Sequence, residues 1–332
     1  MPLKICVICC HEFGPAETVA CLEERELPAL GPAQALVGVK AAPINPADIN
    51  YLEGKYGIRP DLPAIPGNES AGIVIRAGEA VKSLKIDDQV IAPGRIGSWC
   101  EAYVADTEKL IIIPKEIPPE QAAFLSVNAP TAWALLESFV NLSPGDWVVQ
   151  NAANSTVGRF IIQIAKARGL KTLNVVRRAE LIEELKTLGA DIVVTDETPV
   201  SKKVQELTAG AEIRLGVNAV GGESARELAK SLGRHGTLVT IGAMGREPLQ
   251  VPNALLIFKD IRFRGLWINE WFQAADRATI ERMYGELISL MSSGKLKAPV
   301  EKVYELSSYR EAIQDASRGG RRGKIMFKMD AS

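Results

Sequence analysis

Histidine is almost absent: His11 and His235 are the only two in 332 residues. A zinc site built from several imidazoles, or a histidine-dependent catalytic triad, would have to use one of them. His11 follows the first strand in a turn-like HEFGP and His235 sits in GRHG between a helix and a strand, so both read as surface turn residues. An excess of either charge is missing too. Thirty-nine Lys+Arg stand against 40 Asp+Glu, which leaves no polyanion-binding signature for the whole chain, although a local basic patch stays open. No nucleic-acid partner is expected. No run approaches the roughly 18 to 20 apolar residues of a membrane span, and the opening MPLKICVICC has no basic region followed by a full signal core. Neither a membrane protein nor a secreted one is expected. Cysteine is sparse and odd in number: Cys6, Cys9, Cys10, Cys21 and Cys100. Free thiols in a reducing compartment follow. Cys6 and Cys9 have CxxC spacing with no second pair, so they read as strand packing, and no metal site is expected.

What is present is 47% hydrophobic residues, enough to bury a core as two domains or one large one. The first third alternates short β-rich runs with Pro and Gly: LKICVIC, ALVGVKAAPIN, ESAGIVIRAG, DQVIAP, CEAYVA and LIIIP. That pattern predicts an antiparallel sheet or partial barrel. From about Ala129 the grammar changes, as the helix TAWALLESFV is followed by strand and helix in turn: DWVVQNA, STVGRFIIQIAKARG, TLNVVRR, ELIEELKTLGA. The alternation continues through DIVVT, VSKKVQELTAG, IRLGVNAV, ESARELAKSLG and TLVTIG, which predicts a doubly wound parallel sheet of about six strands. A long amphipathic helix around ATIERMYGELISLMSSG, then KVYEL, a helix in SYREAIQDASRG and a strand KIMFKM are expected to return to the first domain.

The first strand-to-helix turn of the parallel region, VVQNAANSTVGRFIIQIA, is where a dinucleotide pyrophosphate would meet helix N–H groups. Against the spacing GxGxxG, the glycine positions hold Ala153, Ser155 and Gly158, and Asn154, Ser155 and Thr156 add amide and hydroxyl donors. An ordinary βα turn capped by Asn or Ser is the competing reading. The next strand ends in Arg177 and Arg178, where an NAD site would place an acid on the ribose hydroxyls. Two guanidiniums suit a 2′-phosphate, so NADPH is expected over NADH, with a solvated strand end as the alternative.

With these residues in place, the chain resembles the medium-chain dehydrogenase/reductase superfamily over nearly its whole length. INPADINYLEGKYG, LPAIPGNESAG, SVNAPTAW, QNAANSTVG, NVVRR, NAVGG and LLIFKDIRFRGLW resemble the mitochondrial-type 2-enoyl thioester reductases, or enoyl-acyl-carrier-protein reductases. The resemblance implies an α/β fold in which a GroES-like β-rich partial barrel, residues 1–124 and 296–332, carries an inserted doubly wound Rossmann domain, 125–295. The zinc-dependent members carry a catalytic Cys in the early loop and a His before a Glu. Here NPADIN replaces the first and Asn68 precedes Glu69, so electrophilic help must come from a side chain or water.

The implied reaction is NADPH-dependent reduction of trans-2-enoyl thioesters, of coenzyme A or acyl carrier protein, in fatty-acid synthesis. Tyr56, in GKYG, matches the family's proton-donating tyrosine, and Tyr51 is a nearby competitor that matches none. Cofactor contacts are implied at Asn128, Asn154, Ser155, Thr156, Val157, Arg177, Arg178, Ile241, Gly242, Ala243, Met244, Trp267 and Lys324. Trp271 is a candidate wall of an acyl pocket, and Arg318, Arg321 and Arg322 form a basic cluster that could meet coenzyme A phosphates or an acidic carrier. A homodimer is expected, in a bacterial cytosol or, for a mature organellar form, the mitochondrial matrix. Two alternatives remain at this stage: a zinc-free NADPH quinone reductase of the same superfamily, and a non-catalytic NADPH-binding protein.

Overall fold

A computed structural model describes residues 3–94, 97–197 and 199–329. The chain divides into two compact units, Met1–Val127 with Tyr284–Ser332, and Asn128–Met283. The strands in chain order are β1 (Lys4–Cys10), β2 (Ala20–Glu26), β3 (Gln34–Pro43), β4 (Ala71–Ala77), β5 (Gln89–Ile91), β6 (Ala102–Asp106) and β7 (Ile111–Ile112). There follow β8 (Trp147–Gln150), β9 (Lys171–Val176), β10 (Ile192–Thr195), β11 (Ile213–Asn218), β12 (Thr237–Thr240), β13 (Arg262–Gly265), β14 (Val300–Tyr304) and β15 (Lys324–Lys328).

In the first unit β1 and β2 form an antiparallel ribbon, and a seven-stranded sheet runs β14-β15-β3-β4-β5-β7 with β6 also on β3. All of its pairings are antiparallel except β14 with β15, which is parallel. β3 is apolar along nearly its whole length because it is central, with β4, β6 and β15 as partners. It approaches β4 so closely that a Cβ on Gly72 would stand 2.5 Å from the Gly38 carbonyl oxygen. The core of this unit includes Trp99, whose ring meets Phe327 edge-on at 5.1 Å.

The β-rich runs expected from the sequence are found as β1 and β3 to β7, but β2 is an addition. Its segment ACLEERE turns Cys21, Glu23 and Arg25 inward and Leu22 outward, so the apolar alternation that marks a strand is missing.

In the second unit all pairings are parallel, in the order β10-β9-β8-β11-β12-β13. The strands are short apolar runs such as Trp147–Gln150, and helices of the unit bury their apolar sides on them. The division between units falls inside the helix Arg277–Ser292, so residues 125–127 and 284–295, which the sequence reading assigns to the nucleotide domain, lie in the first unit. The reason is local hydrogen bonding. The Tyr284 hydroxyl donates to the Leu125 carbonyl at 3.2 Å, and the Gln121 amide both donates to and accepts from the Ala298 backbone at 3.0 and 3.1 Å.

Candidate active site

A parallel sheet ends all its strands at one edge, and that edge gathers the expected cofactor residues of the second unit. Asn154 to Val157 follow β8, Arg177 and Arg178 follow β9, Ile241 to Met244 follow β12, and Trp267 follows β13. Chain order runs outward from β8 to β9 and β10 on one side, while β11, β12 and β13 lie on the other. The sheet therefore has its topological switch point between β8 and β11, where open α/β sheets bind ligands.

The turn after β8 is built for a close approach. Ala152 adopts a left-handed conformation at φ 47°, which costs a residue with a Cβ on the order of 1 kcal/mol. Ser155 caps the helix Thr156–Ala167, its hydroxyl accepting from the Gly158 N–H at 3.1 Å. A Cβ on Gly158 would stand 2.7 Å from the Ala153 carbonyl oxygen, so this last glycine is what lets helix and turn pack. The first-turn N–H groups of Thr156 and Val157 have no acceptor within the helix. Arg159, buried, donates from Nε to the Asn154 carbonyl at 3.0 Å and pairs with Glu184 at 2.7 Å, which fixes the turn from behind. These features suit a pyrophosphate better than an ordinary capped turn does.

The loops along the edge are tied together by two buried asparagines that the sequence reading did not single out. Asn151 donates to Asn218 Oδ1 and Ser224 Oγ, both at 2.9 Å, and accepts from the Ala219 N–H at 2.8 Å. Asn218 in turn accepts from the Val220 and Gly221 N–H groups at 3.1 and 3.0 Å. The β12 loop hangs on the same segment: Ile241 N–H donates to the Asn218 carbonyl and Met244 N–H to the Ala219 carbonyl, each at 2.9 Å. Their only signal was position, an Asn at the end of an apolar strand where a buried amide must be satisfied. Arg177 is exposed at the end of β9, and Arg178 is half-buried and ion-paired with Glu180 at 2.9 Å. Asn128 is buried at the first residue of the helix Asn128–Glu137. Trp267 precedes the helix Ile268–Ala274 and is 38% exposed.

The first unit holds Tyr56 and Lys324. Lys324 begins β15, and the Ile44 N–H bonded to the Ile325 carbonyl at 2.9 Å brings it beside Asn45. Its ammonium, 7% exposed, donates to Asn45 Oδ1 at 2.5 Å. The Asn45 amide donates to Glu69 Oε2 at 3.0 Å, and Glu69 Oε1 accepts from the Val127 N–H at 3.0 Å. Asp48 accepts from the Asn45 N–H at 2.7 Å and from the Asn68 amide at 2.5 Å. The first of these is half of a capping box on the helix Pro46–Leu52. Burial pushes the Asp48 carboxyl up to about 6, against the hydrogen bonds from Asn45 and Asn68. Burial likewise pulls Lys324 down to about 8, opposed by Glu69 and Asp48. Both are charged between those values.

Tyr56 hangs from the far end of that helix. Its N–H donates to the Asn50 carbonyl at 3.1 Å, and its half-buried ring lies 6.4 Å from the ring of Tyr51 at 58°. Tyr51 is buried, with burial raising its hydroxyl pKa, so of the two phenols Tyr56 is the more open.

The remaining candidates are engaged in packing. Trp271 meets Trp133 edge-on at 5.9 Å and donates its indole N–H to Ser138 at 2.9 Å. Arg318 pairs with Glu301 at 2.8 Å, Arg321 donates to the Arg318 carbonyl at 3.1 Å, and Glu301 accepts from the Arg322 and Gly323 N–H groups at 2.6 and 3.1 Å. That basic cluster shapes the turn into β15.

A β-rich unit interrupted by a parallel dinucleotide-type sheet defines a medium-chain dehydrogenase/reductase. Residues 31–116 match the alcohol dehydrogenase GroES-like domain and residues 156–288 the zinc-binding dehydrogenase family. Enoyl-[acyl-carrier-protein] reductase, mitochondrial, of Mus musculus is 40% identical over 319 residues, 94% of this chain and 86% of that protein. The complex of Etr1p with NADP and crotonyl-CoA superposes with a TM-score of 0.88 at 26% identity, covering 98% of this chain and 100% of that one. A Pseudomonas syringae quinone oxidoreductase gives 0.87 at 27% identity, covering 98% and 99%. The chain belongs to the mitochondrial-type enoyl-acyl-carrier-protein reductase family. Zinc does not fit the cluster around Asn45, because amides of Asn45 and Asn68 join only two carboxylates and an ammonium already rests on Asn45.

The buried charges yield a pH-dependent prediction. Lys324→Met strands carboxylates in the core and should cost roughly 3–5 kcal/mol at neutral pH. Asp48, with its pKa raised by burial, protonates as pH falls through about 6, so one stranded charge disappears on the acid side. Urea unfolding at about pH 5 and about pH 7 should therefore show a smaller loss at the lower pH. An equal loss at both would show that the ammonium does not answer Asp48.

Proposed function

We propose that the chain reduces trans-2-enoyl thioesters of coenzyme A or acyl carrier protein to saturated acyl thioesters with NADPH, in fatty-acid synthesis, with Tyr56 as proton donor. The observation that carries this reading is 40% identity to an enoyl-acyl-carrier-protein reductase along 94% of the chain. When bound, NADPH supplies a hydride to the β-carbon of the enoyl group. The chain's own residues do the rest. The β8 turn, Asn154 to Val157, takes the pyrophosphate on helix N–H groups, and Arg177 and Arg178 take the 2′-phosphate. Asn128 and Ile241 to Met244 are the proposed contacts around the nicotinamide half, and Trp267 is a further proposed cofactor contact.

Addition of hydride at the β-carbon leaves enolate charge on the thioester oxygen and an α-carbon that needs a proton. A phenol with an ordinary pKa near about 10 is protonated at neutral pH and can supply it. Tyr56 suits this role because a hydrogen bond to a pinned helix holds its backbone while its side chain is only half-buried. The five free cysteines accord with a reducing compartment, the mitochondrial matrix or a bacterial cytosol. No helix among the described residues is long and apolar enough to cross a membrane.

A homodimer through the open edge of the parallel sheet belongs to the same reading. β13 ends that sheet with Arg262, Arg264 and Gly265 exposed, and the preceding helix Asn253–Lys259 presents Leu256, Ile257 and Phe258 at 45%, 71% and 68% exposure. An unpaired edge beside an apolar patch invites a second copy.

Three measurements test the reading. Tyr56→Phe keeps the ring and removes the hydroxyl, so kcat with crotonyl-CoA should fall roughly 10²- to 10⁴-fold with NADPH affinity and thermal midpoint nearly unchanged. Unchanged turnover would take Tyr56 out of the mechanism, and faster wild-type reduction of a small quinone than of crotonyl-CoA would favour the quinone reductase. Replacing Arg177 and Arg178 together by Ala should weaken NADPH by roughly 10- to 100-fold and NADH little. An equal loss for both would show that the pair does not read the phosphate. In sedimentation velocity the wild type should run as a dimer and the Ile257→Asp, Phe258→Asp double variant as a monomer. A monomeric wild type would rule out the assembly.

A further inference from the structure

The β1–β2 ribbon carries a cluster that the reduction does not use. Cys9 and Cys21 lie directly opposite each other in register. Glu23 is two residues beyond Cys21 within β2 and so shares its face, while His11, in the bend that follows β1, brings its imidazole to the same cluster. One donor atom from each lies within 4.8 Å of the others. The two Sγ atoms are 3.4 Å apart, Cys9 Sγ is 3.8 Å from His11 Nε2, and His11 Nε2 is 2.9 Å from Glu23 Oε2. A tetrahedral zinc ion with Zn–S near about 2.3 Å and Zn–N or Zn–O near about 2.0 to 2.2 Å spaces its donors about 3.3 to 3.8 Å apart. These three spacings need shifts of only a few tenths of an ångström, and the remaining donor pairs lie within 4.8 Å.

We propose that Cys9, His11, Cys21 and Glu23 form a tetrahedral site for a divalent transition metal, zinc by its donor set, which staples the ribbon and takes no part in the reduction. Two soft thiolates and a borderline imidazole, beside one hard carboxylate, suit zinc over magnesium or calcium. The set is closed, with four protein ligands and no position for substrate, as structural zinc sites are. Arg25 supplies the outer contact. Its Nε donates to Glu23 Oε1 at 2.6 Å, which turns Oε2 toward the cluster. Its positive charge also balances the site, since two thiolates and a carboxylate around a divalent ion leave one negative charge. Metal binding displaces the protons of both thiols to the solvent. His11 is exposed and Cys9 buried, so the ion can enter from the His11 side. Cys6 is no part of the set, because three residues along a strand put it on the face opposite Cys9.

The test uses the full chain, reduced and stripped of metal, with cobalt(II) and zinc(II) as probes. One equivalent of cobalt should give the intense red-region bands of a tetrahedral ion with a near-ultraviolet thiolate charge-transfer band, saturating at one per chain and displaced by zinc. Zinc should raise the thermal midpoint. Cys21→Ser should abolish the charge-transfer intensity due to its sulfur and weaken zinc at least about 100-fold against a chromophoric chelator. His11→Ala, a change at an exposed side chain, should weaken it also, while Cys6→Ser should leave every readout intact. A weak octahedral cobalt spectrum, a cysteine pair that binds no zinc when reduced, or zinc uptake unaffected by both Cys21→Ser and His11→Ala would overturn the proposal.

Discussion

The ammonium of Lys324 is the interaction on which the first unit turns. Lys324 and Asn45 are 279 residues apart in sequence, and their hydrogen bond joins the start of β15 to the loop after β3. An isolated ammonium in a core would carry a desolvation cost of several kcal/mol. Here Asn45 accepts from it directly, and Glu69 and Asp48 oppose its charge. The same Asn45 then orients Glu69, and its backbone N–H fixes Asp48 at the start of the helix Pro46–Leu52. Tyr56 hangs from that helix through the Asn50 carbonyl. A buried charge thus positions an open phenol through amides and one short helix, so changes at Lys324 or Asp48 should be felt at Tyr56 through geometry.

In the second unit the equivalent constraint is topological. Parallel strands end together, so residues from four separate loops meet at one edge without any of them being near the others in sequence. What topology leaves loose, Asn151 and Asn218 tighten. Their amides occupy the strand ends of β8 and β11, on either side of the switch point, and satisfy backbone groups that would otherwise be buried without partners. The turn after β8 dispenses with two glycines because Ala152 takes the left-handed conformation and Arg159 braces the turn from behind. Gly158 is retained because the space beside it is filled by backbone, which no side chain can displace.

How legible all this was depended on whether the signal was local. Five of the six parallel strands were readable because short apolar runs alternated with amphipathic helices, whereas β13, RFRG and mostly exposed, carries no such signal. The turn after β8 stood out by its position at the first strand-to-helix junction of the parallel sheet, although of the three glycine positions only Gly158 is kept. β2 was not readable, because its inward face is Cys21, Glu23 and Arg25, and polar residues facing inward look from sequence like a solvated segment. The division between units falls inside one continuous amphipathic helix, which the sequence pattern does not mark, and hydrogen bonds from Tyr284 to Leu125 and between Gln121 and Ala298 tie the later residues to the first unit. The buried network around Asn45 was half readable: NPADIN and GNES stood out against zinc-binding relatives, but nothing local said that Lys324 would join them.

That last juncture explains how the electrophilic role can move from a metal to a phenol. A zinc site in this position would need soft or imidazole donors, whereas this chain offers amides and two carboxylates gathered around an ammonium. A lysine brings a single fixed positive charge and hydrogen bonds of its own, so it can organise Asn45, Asp48 and Glu69 without leaving an open coordination position for substrate. Its charge is consumed inside the cluster. Polarisation of a thioester then falls to another side chain or to water, and a phenol, protonated at neutral pH, can donate without being charged in the resting state. On this argument the buried ammonium is a structural replacement for the metal of the zinc-dependent relatives, and the proposed proton donor, Tyr56, is a separate residue that follows the helix whose start the same cluster fixes.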